Sequence, residues 1–331
     1  MRKLSLLITS VALLAVTVVG GLSQAQVSAQ QNGSNGIRIS PVRTDLVIEP
    51  GSTSTVTMNV ENVSTVNATF KAIINDFQAS SSENGEPALI LDDDKFAPSH
   101  SLKRYINPIA DVAIPAGSSK DVKVTITVPK DAAGGGYFGA VRFAPADRDG
   151  SDKQVSLSAS VGSLILVKVP GDIAENLKLE SFDVRDGRNA SAGSSFFVSG
   201  KNLHAVARFK NSGNVHLQPF GKVTLKKGGK VISSVEINNE EPRTNVLPDS
   251  IRRYPVKLDK VGSWGRYTVE GNFGYGTNGQ LLTGSTSFMI VPVGMIVAGI
   301  ALLGLVVFAL FALPRVIKRY NAGVVRRANR R

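Results

Sequence analysis

The sequence predicts an all-β protein tied to a membrane by one helix. Three observations carry this. Runs of strict polar–apolar alternation recur between turn signals, a long uncharged apolar run lies near the C-terminus, and an apolar N-terminal stretch has the form of an export signal. Alternation with period two marks a strand with one buried and one wet face. Many short strands with turns about every ten residues mark antiparallel sandwiches of the Ig-like kind. The expectation is therefore two tandem Ig-like antiparallel β-sandwich domains, plus an N-terminal signal peptide and one C-terminal transmembrane helix.

Arg2 and Lys3 precede the apolar stretch Leu4–Val19, and Val27-Ser28-Ala29 is a small-residue cleavage site, with Ser23-Gln24-Ala25 as second choice. Residues 1–29 are read as a signal peptide and residues 30–36, polar and glycine-containing, as a flexible leader. The first sandwich is expected over 37–172. In it Val56, Met58 and Val60 share one strand face, and Val122, Val124, Ile126 and Val128 share another. Glu49-Pro50-Gly51, Asn84-Gly85 and Pro115-Ala116-Gly117 are turn signals. Strands at 136–145 and 155–169 are expected to close it as a hairpin around the polar loop 146–154. That loop could instead link two domains, but Val155, Leu157, Ala159 and Val161 need a sheet to lie on.

The second sandwich is expected over 173–288, with strands near 177–183, 196–200, 205–211, 221–226, 231–238, 252–258, 265–275 and 281–291. Ala205, Ala207 and Phe209 should point inward, as should Val223 with Leu225 and Tyr267 with Val269. Trp264 and Tyr267 are read as core anchors, since aromatic rings carry the largest apolar area per residue.

Met289–Leu313 contains no charged side chain. About 20 apolar residues suffice to cross a ~30 Å hydrocarbon core, so residues 289–313 are read as a membrane span. The tail 314–331 carries Arg315, Lys318, Arg319, Arg326, Arg327, Arg330 and Arg331 and no acidic residue. Cations flanking a span stay on the cytoplasmic side, which places the C-terminus inside, the β-domains outside and the chain in the cell membrane as a single-pass protein. The formal net charge is +12. Taking away the seven tail cations, Arg2 and Lys3 leaves +3 for everything else, so the basic balance records topology and lipid attraction and does not mark a nucleic-acid binder.

There is no cysteine, which removes thiol chemistry and cysteine-ligated metals. His100, His204 and His216 do not lie at metal-ligand spacing. Asp92-Asp93-Asp94 offers oxygen ligands for calcium, but consecutive carboxylates on a strand end alternate sides, and the glycine and distal glutamate of a calcium loop are missing. Gly134-Gly135-Gly136 lacks the Lys-Ser/Thr of a phosphate loop and reads as a tight turn, bulge or close backbone approach. No nucleophile elbow or carboxylate pair stands out. The chain is therefore expected to be no enzyme and to take no cofactor.

Ala132-Ala133-Gly134-Gly135-Gly136-Tyr137-Phe138-Gly139-Ala140-Val141-Arg142-Phe143, after Val124-Thr125-Ile126-Thr127-Val128-Pro129, resembles the N-terminal domain of the WxL-interacting protein family. Ala207–Leu217, Gly228–Val231 and Val246–Arg252 are similar to the middle of that family's second domain. The chain departs from the family after Ser101-Leu102-Lys103, where Arg104-Tyr105-Ile106 stands in place of a tryptophan. The resemblance implies a first domain associated with peptidoglycan and a second associated with WxL-domain surface proteins. The expected function is then a non-enzymatic membrane-anchored surface protein that binds cell-wall glycan or another envelope protein. The alternative is a membrane-held, chaperone-like assembly factor acting by strand addition. Two segments suit a partner-binding edge: one with Tyr137, Phe138 and Arg142, the other with Asn211, Asn214 and His216. The competing and preferred reading puts both strands inside their sheets.

Overall fold

The computed structural model describes residues 36–146 and 160–328. The expected signal peptide, the leader up to residue 35, residues 147–159 of the predicted hairpin, and Arg330 with Arg331 lie outside the described residues.

The N-terminal β-unit contains β1 (Ile37–Ser40), β2 (Arg43–Val47), β3 (Thr53–Asn62), β4 (Ala68–Ala79), β5 (Pro87–Leu89), β6 (Val112–Ile114), β7 (Ser119–Thr127), β8 (Gly135–Pro145) and β9 (Val161–Val169). A single 3-10 turn, Lys103–Tyr105, interrupts the strands between β5 and β6. One sheet runs β1-β3-β7, and a second runs β2-β9-β8-β4-β5, with β6 also pairing β4. Alternation decides which side chains meet. Val56, Met58 and Val60 of β3 and Val122, Val124 and Ile126 of β7 are buried in one cluster with Phe70, Val141, Phe143, Ile165 and Val167 from the other sheet. Each such side chain contributes roughly 1.5–3 kcal/mol by leaving water.

The C-terminal β-unit contains β10 (Leu177–Asp186), β11 (Phe196–Phe197), β12 (Leu203–Asn211), β13 (Phe220–Lys227), β14 (Lys230–Ile237), β15 (Ser250–Lys257), β16 (Gly265–Tyr275) and β17 (Gln280–Ile290). Its sheets run β10-β12-β15 and β11-β17-β16-β13-β14. Ala205, Ala207, Phe209, Val223, Leu225, Tyr267 and Val269 lie in one core, closed by Phe273 and Phe288 in edge and stacked contacts. Trp264 departs from the reading as a core anchor. It is 61% exposed, because it stands one residue before β16 begins, where the alternation that buries Tyr267 and Val269 has not yet started.

Helix α1 (Val293–Ala328) follows β17 after only Val291 and Pro292. The expected span therefore starts four residues late. Met289 and Ile290 belong to β17, where they pair with Arg266 and Gly265, and Pro292 marks the change of conformation. At its other end the helix does not stop at Leu313 but runs on through Pro314 into the basic tail. The most apolar 18-residue stretch within Val293–Arg319 has a mean hydropathy of 2.9, and it is not buried against any other part of the protein. A core helix of a soluble protein would be covered, whereas this one is bare, and it is long and apolar enough to cross a membrane.

Candidate functional site

The two segments chosen from the sequence meet where the β-units join. Asn214 is the centre of the contact. Its side-chain N–H donates to Gly134 O (3.1 Å) and Asp172 O (2.8 Å), and its Oδ1 accepts the Ala174 N–H (2.8 Å). Its backbone carbonyl accepts the Gly136 N–H at 2.7 Å. Such close passage of two backbones explains the glycines. A Cβ on Gly134 would meet Gly171 and Asp172 at under 3 Å, and one on Gly213 would collide with Ala174 O. Phe138 packs edge-on to His216, with ring centroids 5.7 Å apart, and also lies against His100 and Phe77. Around it Ala140 and Leu166 form a small second core that Leu247 of the C-terminal unit helps to close.

The strands that carry Tyr137, Phe138, Arg142 and Asn211 lie inside their sheets. β8 lies between β4 and β9, and β12 lies between β10 and β15, so neither strand has a free side for a partner strand. Asn211 is fully buried. Its amide donates to Val215 O and Val246 O, and its Oδ1 accepts the Gly213 N–H, which leaves nothing for a partner. Tyr137 donates its hydroxyl hydrogen to Ala133 O and faces Tyr105, and burial first, then the Tyr105 hydroxyl, pushes its pKa up to about 12. His216 is pushed down to about 4 by burial. The Asp45 carboxylate 3.9 Å away opposes this, while Arg43 and Lys168 add to it.

Other contacts fix the joint from two more sides. Glu83, on the β4–β5 hairpin, accepts the Nε–H and an Nη2–H of Arg208, one on each carboxylate oxygen, and its backbone carbonyl accepts the Arg253 N–H at 2.8 Å. The Arg208 hydrogen bond holds the Glu83 carboxyl below the usual carboxylate range. Arg43 donates to Arg243 O at 2.7 Å.

Arg142 goes elsewhere. It projects from β8 toward an open groove of about 890 Å³ that also takes in Lys71, Leu91, Phe96, Lys103 and Arg104. The groove runs beside β4 on the side away from β8, where that strand is only partly covered. On that side β6 pairs Ala68–Phe70 and β5 pairs Phe77–Ala79, and among the described residues no strand pairs residues 71–76 between them. The opposite wall is the segment from Ile90 to Tyr105, and two buried polar residues of β4 hold it. Asn75 donates to Ile90 O, and Asp76 accepts the Ala97 and Lys103 N–H groups at 2.9 and 2.8 Å. A buried carboxylate is tolerable only when such donors meet it. Arg142 is itself oriented by Asn75 Oδ1 (2.9 Å) and Ser160 Oγ (2.8 Å). The Phe96 ring carries the Arg104 guanidinium 4.5 Å from its centroid. Reasoning from sequence missed Asn75 and Asp76; a polar pair inside the apolar run Ile73-Ile74-Asn75-Asp76-Phe77 was the available signal.

The groove suits a ligand with amides, carboxylates and flat apolar faces. Asp92 pairs with Lys95 and accepts the Asp94 N–H. No group of three or more potential metal ligands occurs among the described residues.

Residues 44–145 match the family described as WxL Interacting Protein, peptidoglycan binding domain. No curated protein matches the chain. Among solved structures the chain is similar to the Class 5 fimbriae chaperone CfaA, at 17% identity over 78% of this chain and 100% of that one, with a TM-score of 0.38. It is also similar to the E. coli chaperone DraB, at 15% identity over 77% and 98%, TM-score 0.33. The Pseudomonas aeruginosa CupB2 chaperone gives 12% identity over 75% and 98%, TM-score 0.31. Likenesses this distant carry no argument about function.

Proposed function

We propose that the match over residues 44–145 marks a wall-binding module, and that this chain is a non-enzymatic surface protein which holds peptidoglycan in the groove beside β4. One observation carries the reading: every residue named in that groove, from Lys71 to Arg142, falls inside the matched segment. The chemistry agrees. Sugar rings present apolar faces to Phe96 and Leu91, peptide stems present carboxylates to Lys71, Arg104 and Arg142, and their amides suit the unpaired side of β4.

In this reading each β-unit is an Ig-like sandwich, the two stand outside the cell, and α1 crosses the membrane with its basic end inside. Wall binding and anchoring then act together: the N-terminal unit grips the polymer while the helix keeps it close to the bilayer. Co-sedimentation of the full detergent-solubilised chain with purified peptidoglycan tests this. Retention should fall about tenfold in a Phe96→Ala/Arg104→Ala variant, the loss of one stacked cation and its ring. Retention equal to the parent chain would remove the groove from the account.

A further inference from the structure

The end of the C-terminal β-unit beside the helix carries a surface that the wall-binding role does not use. β17 ends at Ile290, two residues before α1, and Gly265 is its partner in the ladder. Trp264 therefore stands level with Val291, one strand spacing of about 4.8 Å to the side. The loop 198–202 continues past β11, which runs parallel to β17 and pairs Phe197 with Ile290. The turn at 227–230 joins the same end, because Lys227 Nζ donates to Trp264 O at 2.9 Å. Loops 198–202, 227–230 and 258–264 and the strand ends thus form one rim around the point where the helix leaves.

The composition of that rim is unusual. It exposes Trp264, Val198, Phe196 and Met289. It also carries Lys201, Lys227, Lys230, Lys260 and Arg266 against the single carboxylate of Asp259. Trp264 is not held loosely. The Tyr267 hydroxyl accepts the Gly262 N–H at 3.0 Å, and Lys227 lies over both the Trp264 and Tyr267 rings. An apolar ring fixed in an outward pose beside lysines is the side-chain mixture of a bilayer interface, where tryptophan sits at headgroup level and lysine reaches to phosphate.

Distance selects the same partner. Val293–Leu313 covers about 31 Å at 1.5 Å per residue, which matches a ~30 Å hydrocarbon core and sets Val293 at its edge. Two extended residues reach about 7 Å, and one headgroup layer is about 5–8 Å thick. Trp264 then falls within that layer.

We infer that the rim formed by Trp264, Lys227, Lys230, Lys260 and Arg266 seats the C-terminal β-unit directly on an anionic lipid surface. This rests on the helix crossing the membrane, and the test separates the two. Trp264 is the only tryptophan, so its fluorescence reports the rim without labelling. In the full chain in nanodiscs, its emission should move to shorter wavelength and be quenched by lipids brominated near the headgroup, more strongly with phosphatidylglycerol present. A Lys201→Glu/Lys230→Glu/Lys260→Glu variant, changed only at exposed positions and leaving the Lys227 contacts with Trp264 and Tyr267 in place, should lose the phosphatidylglycerol dependence. In parallel, a Trp264→Phe/Leu303→Trp variant moves the reporter to mid-helix. If Leu303→Trp is quenched by deeply brominated lipid while Trp264 stays open to iodide, the span stands and the seating is overturned. If neither is quenched by lipid, both fall. A blue-shifted Trp264 untouched by brominated lipid would mean that protein, such as a second copy, covers it, and would also overturn the inference.

Discussion

Asn62 and Asn211 occupy the same place in the two β-units. Each ends a strand of alternating core residues, each is fully buried, and each donates through its amide to two carbonyls across a corner: Val66 and Ile114 in the first unit, Val215 and Val246 in the second. Each also accepts a backbone N–H two residues on, from Ser64 or Gly213. The corners differ one step later. Thr65 is exposed in the first unit, whereas its counterpart Asn214 ties the second unit to Gly134, Asp172 and Ala174. A shared folding device has thus been left bare in one unit and turned into a joint in the other. The groove belongs to the first unit alone and the membrane-side rim to the second, so repetition of the corner says nothing of repetition of role.

The strongest test of this pairing removes the device itself. Asn62→Ala and Asn211→Ala each strand two buried carbonyls, and each should cost about 3 kcal/mol in chemical unfolding of the full chain. A large loss at one site and none at the other would break the equivalence.

Next in size is a difference between the corners. His216 is the counterpart of Asn67, which cannot titrate. The folded His216 pKa is lowered from 6.5 to about 4, so the unfolded chain takes up the proton first. Its stability contribution is complete above pH 6.5 and is lost as pH falls toward 4, by at most about 3 kcal/mol. Asp45, Arg43 and Lys168 face it, and Phe138 covers it. Unfolding midpoints followed across that range should fall, and His216→Gln should flatten the fall. An unchanged slope in the variant would place the titration elsewhere.

The smallest expected effect sits at the far side of the joint. Glu83→Gln weakens a partly exposed pair and should cost about 1 kcal/mol. Because the folded Glu83 pKa is lowered, that contribution exists above its unfolded value and disappears as pH falls through the folded one. Limited proteolysis between the units should speed up in the variant, and no change would leave Asn214 as the main tie.

The strands were legible because most have one wet face. Val56-x-Met58-x-Val60 and Val122-x-Val124-x-Ile126 announce their burial by spacing alone, and the structure buries all six. Trp264 was not legible, since residue type favours the core while its place before β16 decides against it. The start of α1 was blurred because Phe288–Val291 is as apolar as the helix that follows, and only Pro292 divides them. Asn214 could be singled out as unusual, but its partners lie up to 80 residues away. Tertiary pairing at that range leaves no local mark, so a joint and an edge look alike in the chain.

The two-residue link between β17 and α1 has a mechanical consequence. With no slack between strand and helix, a tug on α1 runs straight into the β16–β17 ladder, whose register extends from Gly265–Ile290 to Tyr275–Gln280. Where the pull is directed along the strand, the cross-strand hydrogen bonds resist it together instead of unzipping in turn. A tether built this way stretches little before it yields.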